Sequence, residues 1–193
     1  LDRIIGSTKH QGVMGLVAAK AYGTLEEILS RASSRGEAAA VLVLDGIEDP
    51  RNLGAVLRTA DAAGFHGVII PQRRASGLTE TVGKASAGAL EYVPVARVVN
   101  LADAIEGLKK QGFWIYGLDP SSKQSYLKLD FRRPVAVVAG AEGAGVRPRV
   151  LSVCDETARL PMKGRVASLN ISVAVGVVAY EMVRQRDSGG PAA

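Results

Sequence analysis

With 193 residues, 47% of them hydrophobic and 22% charged, the chain can bury one well-packed domain and is too apolar to be a disordered tail. One cysteine, Cys154, excludes an internal disulfide framework, and with only His10 and His66 beside it no His/Cys metal cluster can be assembled. No apolar run approaches the roughly 18 residues that a membrane span requires, and 24 basic against 19 acidic side chains leave a charge of +5 that suits a polyanionic partner.

Along the chain, residues 1–6 lack the basic-then-apolar order of a signal peptide, so the expected compartment is the reducing cytoplasm. Residues 10–15 read like the end of a connection. Thr24 and Glu27 form a capping-box pattern that predicts a short helix to about Ser34. Apolar runs and helical patterns then alternate. Strands are predicted at 41–44, 67–70, 113–118 and 135–139, with a further extended stretch at 92–95, and helices at 53–63, 80–87 and 101–110. Strands without polar alternation are buried on both faces, so the fold class is α/β, a mainly parallel sheet covered by helices. The last element, 168–184, is apolar on nearly every side and requires burial in the core or against a second copy. Residues 187–193 read as a flexible tail.

Charge is unevenly placed. Residues 41–70 carry two basic and four acidic groups, whereas 71–193 carry seventeen and eleven. Many of the latter come in pairs at predicted loops: Arg73-Arg74, Arg132-Arg133, Arg147 with Arg149, Lys163 with Arg165. They read either as solvated loop charge or as RNA contacts. Aromatic residues, at 5%, are too few for a base-stacking platform, so any nucleic acid is held mainly through phosphates.

Three polar islands interrupt the apolar pattern. The first, 49–59, lies beyond the C-terminal end of a strand, where open α/β sheets place their ligands. Its Asn52 reads as a helix N-cap or as part of a phosphate grip with Arg58, whose alternative reading is an ion pair with Asp61. The second, 140–145, has three glycines in the order G-x-x-G-x-G around Glu142, a poor match to a dinucleotide fingerprint. In the third, 160–170, Ser168 reads as a cap for the last helix, while Asn170 needs hydrogen-bond partners if buried.

These islands carry a resemblance. The runs Asn52-Leu-Gly-Ala-Val-Leu-Arg58, Val138-Ala-Gly-Ala-Glu142-Gly-Ala-Gly and Leu160-Pro-Met-Lys-Gly-Arg-Val-Ala-Ser168-Leu-Asn170 resemble, in order, the three motifs of the SpoU (TrmH-type) RNA ribose 2′-O-methyltransferases of the SPOUT superfamily. The stretch 45–54 and Lys84-Ala-Ser-Ala-Gly88 are similar to the branch that methylates a guanosine ribose in 23S ribosomal RNA. The resemblance implies a SPOUT α/β catalytic domain over 41–186, its C-terminal part threaded into a trefoil knot. It implies S-adenosyl-L-methionine held at Gly140, Leu160 and Leu169, site residues Asn52, Arg58, Glu142, Ser168 and Asn170, and no metal. It also implies an RNA substrate, ribosomal RNA first and transfer RNA as the alternative, and a homodimer through the knot and last helix, with no membrane association. Residues 1–40 would then be a linker and leading helix following an N-terminal RNA-binding domain that is missing here. Arginine rarely gives up its proton, so Arg58 is expected to grip phosphate and stabilise the developing alkoxide rather than act as a base. The rivals are a dinucleotide-dependent oxidoreductase, an RNA-binding relic without activity, and a domain whose islands are only caps and turns.

Overall fold

The apolar runs become the strands of one wholly parallel sheet. A computed structural model describes residues 20–188. Its strands β1 (Ala40–Asp45), β2 (Gly67–Pro71), β3 (Val95–Val98), β4 (Trp114–Leu118), β5 (Val135–Gly140) and β6 (Glu156–Ala158) lie in the order β3-β2-β1-β5-β4-β6. The strand β1 is buried along its whole length and pairs with β5 from Ala40↔Val135 to Asp45↔Gly140. The order reverses between these two strands, so their C-terminal ends flank the crevice where such sheets bind ligands.

Helices α1 (Leu25–Arg35), α2 (Pro50–Ala62), α3 (Glu80–Ala85), α4 (Leu101–Lys110), α5 (Pro148–Leu151) and α6 (Ile171–Asp187) cover both faces. Successive strand side chains point to opposite sides. Leu42 and Leu44 meet Leu53, Val56 and Leu57 of α2 and Val175 and Val178 of α6. Val41 and Val43 meet Ile28 of α1 and Ile105 and Leu108 of α4. Each such aliphatic side chain contributes on the order of 1.5–3 kcal/mol when fully buried. Gly54 lets α2 approach α3, since a Cβ there would stand 2.4 Å from that of Ala85.

Several expectations are corrected. The helix α2 starts at Pro50, and its N-cap is Asp49, which accepts from the Arg51 N–H at 2.7 Å; Asn52 lies inside the first turn. The last helix starts at Ile171 and is capped by Asn170, so Ser168 lies before it and does not cap. The strand β6, the one-turn α5 and two 3₁₀ turns at Ala89–Glu91 and Tyr126–Lys128 were too short to show a period in the sequence. Readings placed on residues 1–19 and 189–193 lie outside the described residues.

After β6 the chain runs beside the β4–β5 connection, where the Tyr126 N–H donates to the Arg159 carbonyl at 3.0 Å and the Arg159 N–H to that of Gln124 at 2.8 Å. It then enters α6, which packs on α2 and β5; this is where the resemblance implies the knot. The end of α6 is tied to the same connection by polar groups. Gln185, buried, donates to the Leu129 carbonyl at 2.9 Å and accepts from the Phe131 N–H at 3.0 Å, and Arg186 donates to the carbonyls of Phe131 and Ala38. Replacing Gln185 by Leu strands a buried N–H and a buried carbonyl. The Gln185→Leu variant is therefore expected to lose about 2–4 kcal/mol, read as a lowered midpoint in urea denaturation.

Candidate active site

The loop after β5 is the centre of the site. At its start Gly140 has no room for a side chain, since a Cβ would lie 1.9 Å from the carbonyl carbon of Gly145. The loop closes on itself through the Gly145 N–H, which donates to the Ala141 carbonyl at 2.8 Å, with Gly143 and Gly145 at positive φ. Its far end is pinned to β1. Asp45 is almost fully buried and accepts from the Arg147 backbone N–H at 2.9 Å, Nε at 2.8 Å and Nη2 at 2.7 Å. The same contact pushes the Arg147 pKa up, the hydrogen bond to Asp45 being the main cause.

Arg147 is therefore a structural anchor. Arg133 is likewise committed, its guanidinium 4.1 Å from the Trp114 ring centroid and its Nη2 donating to the Tyr116 hydroxyl at 3.3 Å.

Glu142, at the tip of the loop, joins the three islands. Its Oε1 accepts from Asn52 Nδ2 at 3.3 Å, from the Ile171 backbone N–H at 3.4 Å and from Asn170 Nδ2. Asn170 Nδ2 also reaches Asn52 Oδ1 at 3.0 Å, while Asn170 Oδ1 caps α6 by accepting from the Ser172 N–H at 2.9 Å. Three of the five expected site residues thus meet, from segments 90 and 28 positions apart. The other two stay apart from this set. Arg58, six residues beyond Asn52, is exposed on α2, about 9 Å further along its axis; it makes no ion pair with Asp61 or any other described residue. Ser168 is exposed and borders the cavity described next.

Two cavities flank the loop. One, about 450 Å³, lies beyond the ends of β4, β5 and β6, and Gly140, Leu160 and Leu169 all line it beside Leu118, Glu142 and Ser168. Its wall is mostly aliphatic and glycine backbone, which suits a ligand held by shape and main-chain groups. The other, about 410 Å³, lies on the β1–α2 side and shares Glu142, Ile171 and the loop backbone with the first. Sequence reasoning missed Asp45 as the anchor of the loop and Leu118 to Ser121 as cavity wall; a buried aspartate at the end of an apolar strand was the available signal for the former. Cys154 is no nucleophile, because burial pushes its thiol up to about 12. Among the described residues no group of three or more His, Cys, Asp or Glu could hold a metal ion, and no helix is long and apolar enough to cross a membrane.

Comparison with known proteins identifies the family and the fold. Residues 39–180 match the model of the SpoU rRNA methylase family. The chain is 47% identical over 190 residues to YacO of Bacillus subtilis, whose name provisionally assigns it to the TrmH family of tRNA/rRNA methyltransferases; the match covers 98% of this chain and 76% of that protein. Among solved structures it resembles the SpoU methyltransferase AviRb of Streptomyces viridochromogenes in complex with AdoMet, with a TM-score of 0.73 and 30% identity over 79% of this chain. The chain spans only 62% of that AviRb chain. The TrmH/SpoU tRNA modifying enzyme of A. aeolicus matches with a TM-score of 0.73 and 27% identity, covering 86% of each chain. The sheet order together with these neighbours makes this an α/β SPOUT fold.

A methyl group at residue 140 has to displace the loop backbone. Gly140→Ala is expected to cost roughly 1–3 kcal/mol, the scale of overpacking, measured as a lower thermal midpoint by calorimetry.

Proposed function

The chain belongs to the SpoU rRNA methylase family, and we propose that it transfers a methyl group from S-adenosyl-L-methionine to a ribose 2′-hydroxyl of RNA, a guanosine of 23S ribosomal RNA. The observation that carries this reading is the junction of the cavity under Gly140 with the Asn52–Glu142–Asn170 cluster, one holding space and one fixed polar set on a shared wall. The cavity fits the cofactor in size and in chemistry. Gly140, Leu160 and Leu169 would hold it, with Leu118 as apolar wall and the loop backbone available for hydrogen bonds. When bound, it supplies an electrophilic methyl on a sulfonium, so no further activation of the donor is needed.

The chain's own groups then position the acceptor. Glu142 accepts from three donors at the starts of α2 and α6, which orients an acceptor at the shared wall. Asn52 and Asn170 orient it and the ribose. Arg58 grips a phosphate of the target strand through its planar fork and lends charge to the developing alkoxide. The hydroxyl proton leaves to a phosphate oxygen or water.

Arg58 and Ser168 are exposed in one chain, and a second copy completes the site in this reading. The outer face of α6 carries Val173, Val177 and Tyr180, the last 57% exposed, at helical spacing. A second copy lies along this stripe and borders Arg58 on the adjoining α2. Tyr180→Asp is expected to convert the protein from dimer to monomer in light scattering. The similarity to the tRNA modifying enzyme favours transfer RNA as the second reading of the substrate.

Calorimetry tests the cofactor first: S-adenosylmethionine is expected to bind in the micromolar range and NADH to give no heat, while Gly140→Ala abolishes the binding. Methylated 23S and transfer RNA transcripts, digested and analysed by mass spectrometry, then identify the nucleoside. Arg58→Ala is expected to keep cofactor binding and lose about 100-fold or more in turnover, a typical loss on removing one transition-state donor. Near-normal turnover in Arg58→Lys would overturn the bidentate phosphate grip.

A further inference from the structure

The second cavity, about 410 Å³, opens on the β1–α2 loop and on the loop after β2, outside the Gly140, Leu160 and Leu169 wall. Most of its charged groups are committed to the fold. Asp45 is held by Arg147, and Asp49 caps α2. Two are not. Glu48 and Arg74 both line this cavity and both are exposed, yet neither makes a side-chain hydrogen bond or ion pair with any described residue, including each other. Arg74 also stands at φ 62°, a conformation uncommon for a side chain of its size. Opposite charges that face one cavity without meeting leave room for something between them that satisfies both.

The size of the space and the sign of the two charges define that ligand. The volume suits a nucleoside better than a lone phosphate. Guanine carries two donors, N1–H and the N2 amine, on one edge and two acceptors, O6 and N7, on the next. A carboxylate takes the first pair and a guanidinium fork the second. Adenine turns an acceptor, N1, toward the carboxylate and offers the guanidinium only N7. Cytosine has adjacent acceptors, O2 and N3, but only the N4 amine to offer a carboxylate, and uracil offers it only N3–H, so neither pyrimidine presents a donor pair and an acceptor pair together. The shared wall then puts the ribose at Glu142 and Asn52, facing the first cavity.

Resting on the methyltransferase reading above, we propose that Glu48 and Arg74 are the residues that read the target base, and that they select guanine. The test titrates the protein, saturated with S-adenosylhomocysteine, with GMP, IMP and AMP, followed by NMR. These three share one phosphate and one ribose, so differences among them report on the base. GMP is expected to bind at least tenfold tighter than AMP, with IMP, which lacks the N2 amine, in between. Glu48→Gln is expected to bring GMP and IMP within twofold of each other. Arg74→Met is expected to weaken GMP at least tenfold while leaving AMP within threefold. Equal binding of GMP and AMP to the wild-type protein, or no binding of GMP at all, overturns the proposal. So does an equal loss of GMP and AMP in Arg74→Met, because Arg74 would then be holding phosphate. Calorimetry with S-adenosylhomocysteine alone separates the two levels of inference. Unchanged binding in both variants shows that the cofactor site is intact, whereas no binding by the wild-type protein overturns the methyltransferase reading and this proposal with it.

Discussion

One carboxylate oxygen, Oε1 of Glu142, receives donors from the first turn of α2 and from the start of α6. Neither helix is near Glu142 in the chain. The contact exists only if β5 delivers its loop beside β1, and if the chain after β6 returns to lay α6 on α2. The carboxylate therefore reports that the whole C-terminal half has assembled. Its donors fix its direction as well as its place, and a group with a fixed direction can present a ligand with one geometry instead of many. Gly140 permits the tight loop that carries Glu142, since a Cβ there would overlap the Gly145 backbone.

The arginines divide by partner. Arg147 is matched to the buried Asp45, where an unpaired charge would be costly. Arg133 lies over Trp114, and Arg186 is spent on backbone carbonyls at Phe131 and Ala38. These side chains hold the frame of the fold. Arg58 and Arg74 are exposed and uncommitted, each on an element that also lines or borders the site. A guanidinium left without a partner beside a cavity costs the fold little, because water solvates it, and it remains available to phosphate or base.

The last helix serves two surfaces. Val175, Val178 and Met182 complete the core beneath α2, whereas Val173, Val177 and Tyr180 remain exposed. Asn170 caps its start and simultaneously binds Asn52, so the helix is anchored at the site by one end and at the 129–131 segment, through Gln185, by the other. A shift of α6 along its axis would break both anchors, which couples the packing of the core to the geometry of the cluster.

The sequence by itself determined the class of fold, because unalternating apolar runs such as 41–44 and 135–139 are stable only when buried on both faces of a parallel sheet. It also determined the identity of the motif residues Asn52, Glu142 and Asn170, because their spacing on three islands resembles one family. It could not determine which of them meet. That depends on strand order, and no local pattern says that β5 pairs with the distant β1 on one side while pairing with β4 on the other. Caps were misread at Asn52 and Ser168 for a related reason: several polar residues stood near each helix start, and only the backbone direction at Asp49 and Asn170 decided between them. Short elements such as β6 and α5 carried too few residues to show a period. Arg147 and Arg74 look alike in the sequence; the tertiary structure buries Asp45 against one and leaves the other facing an open cavity. Charge is a property of a residue, but whether that charge is neutralised is a property of what the fold brings beside it.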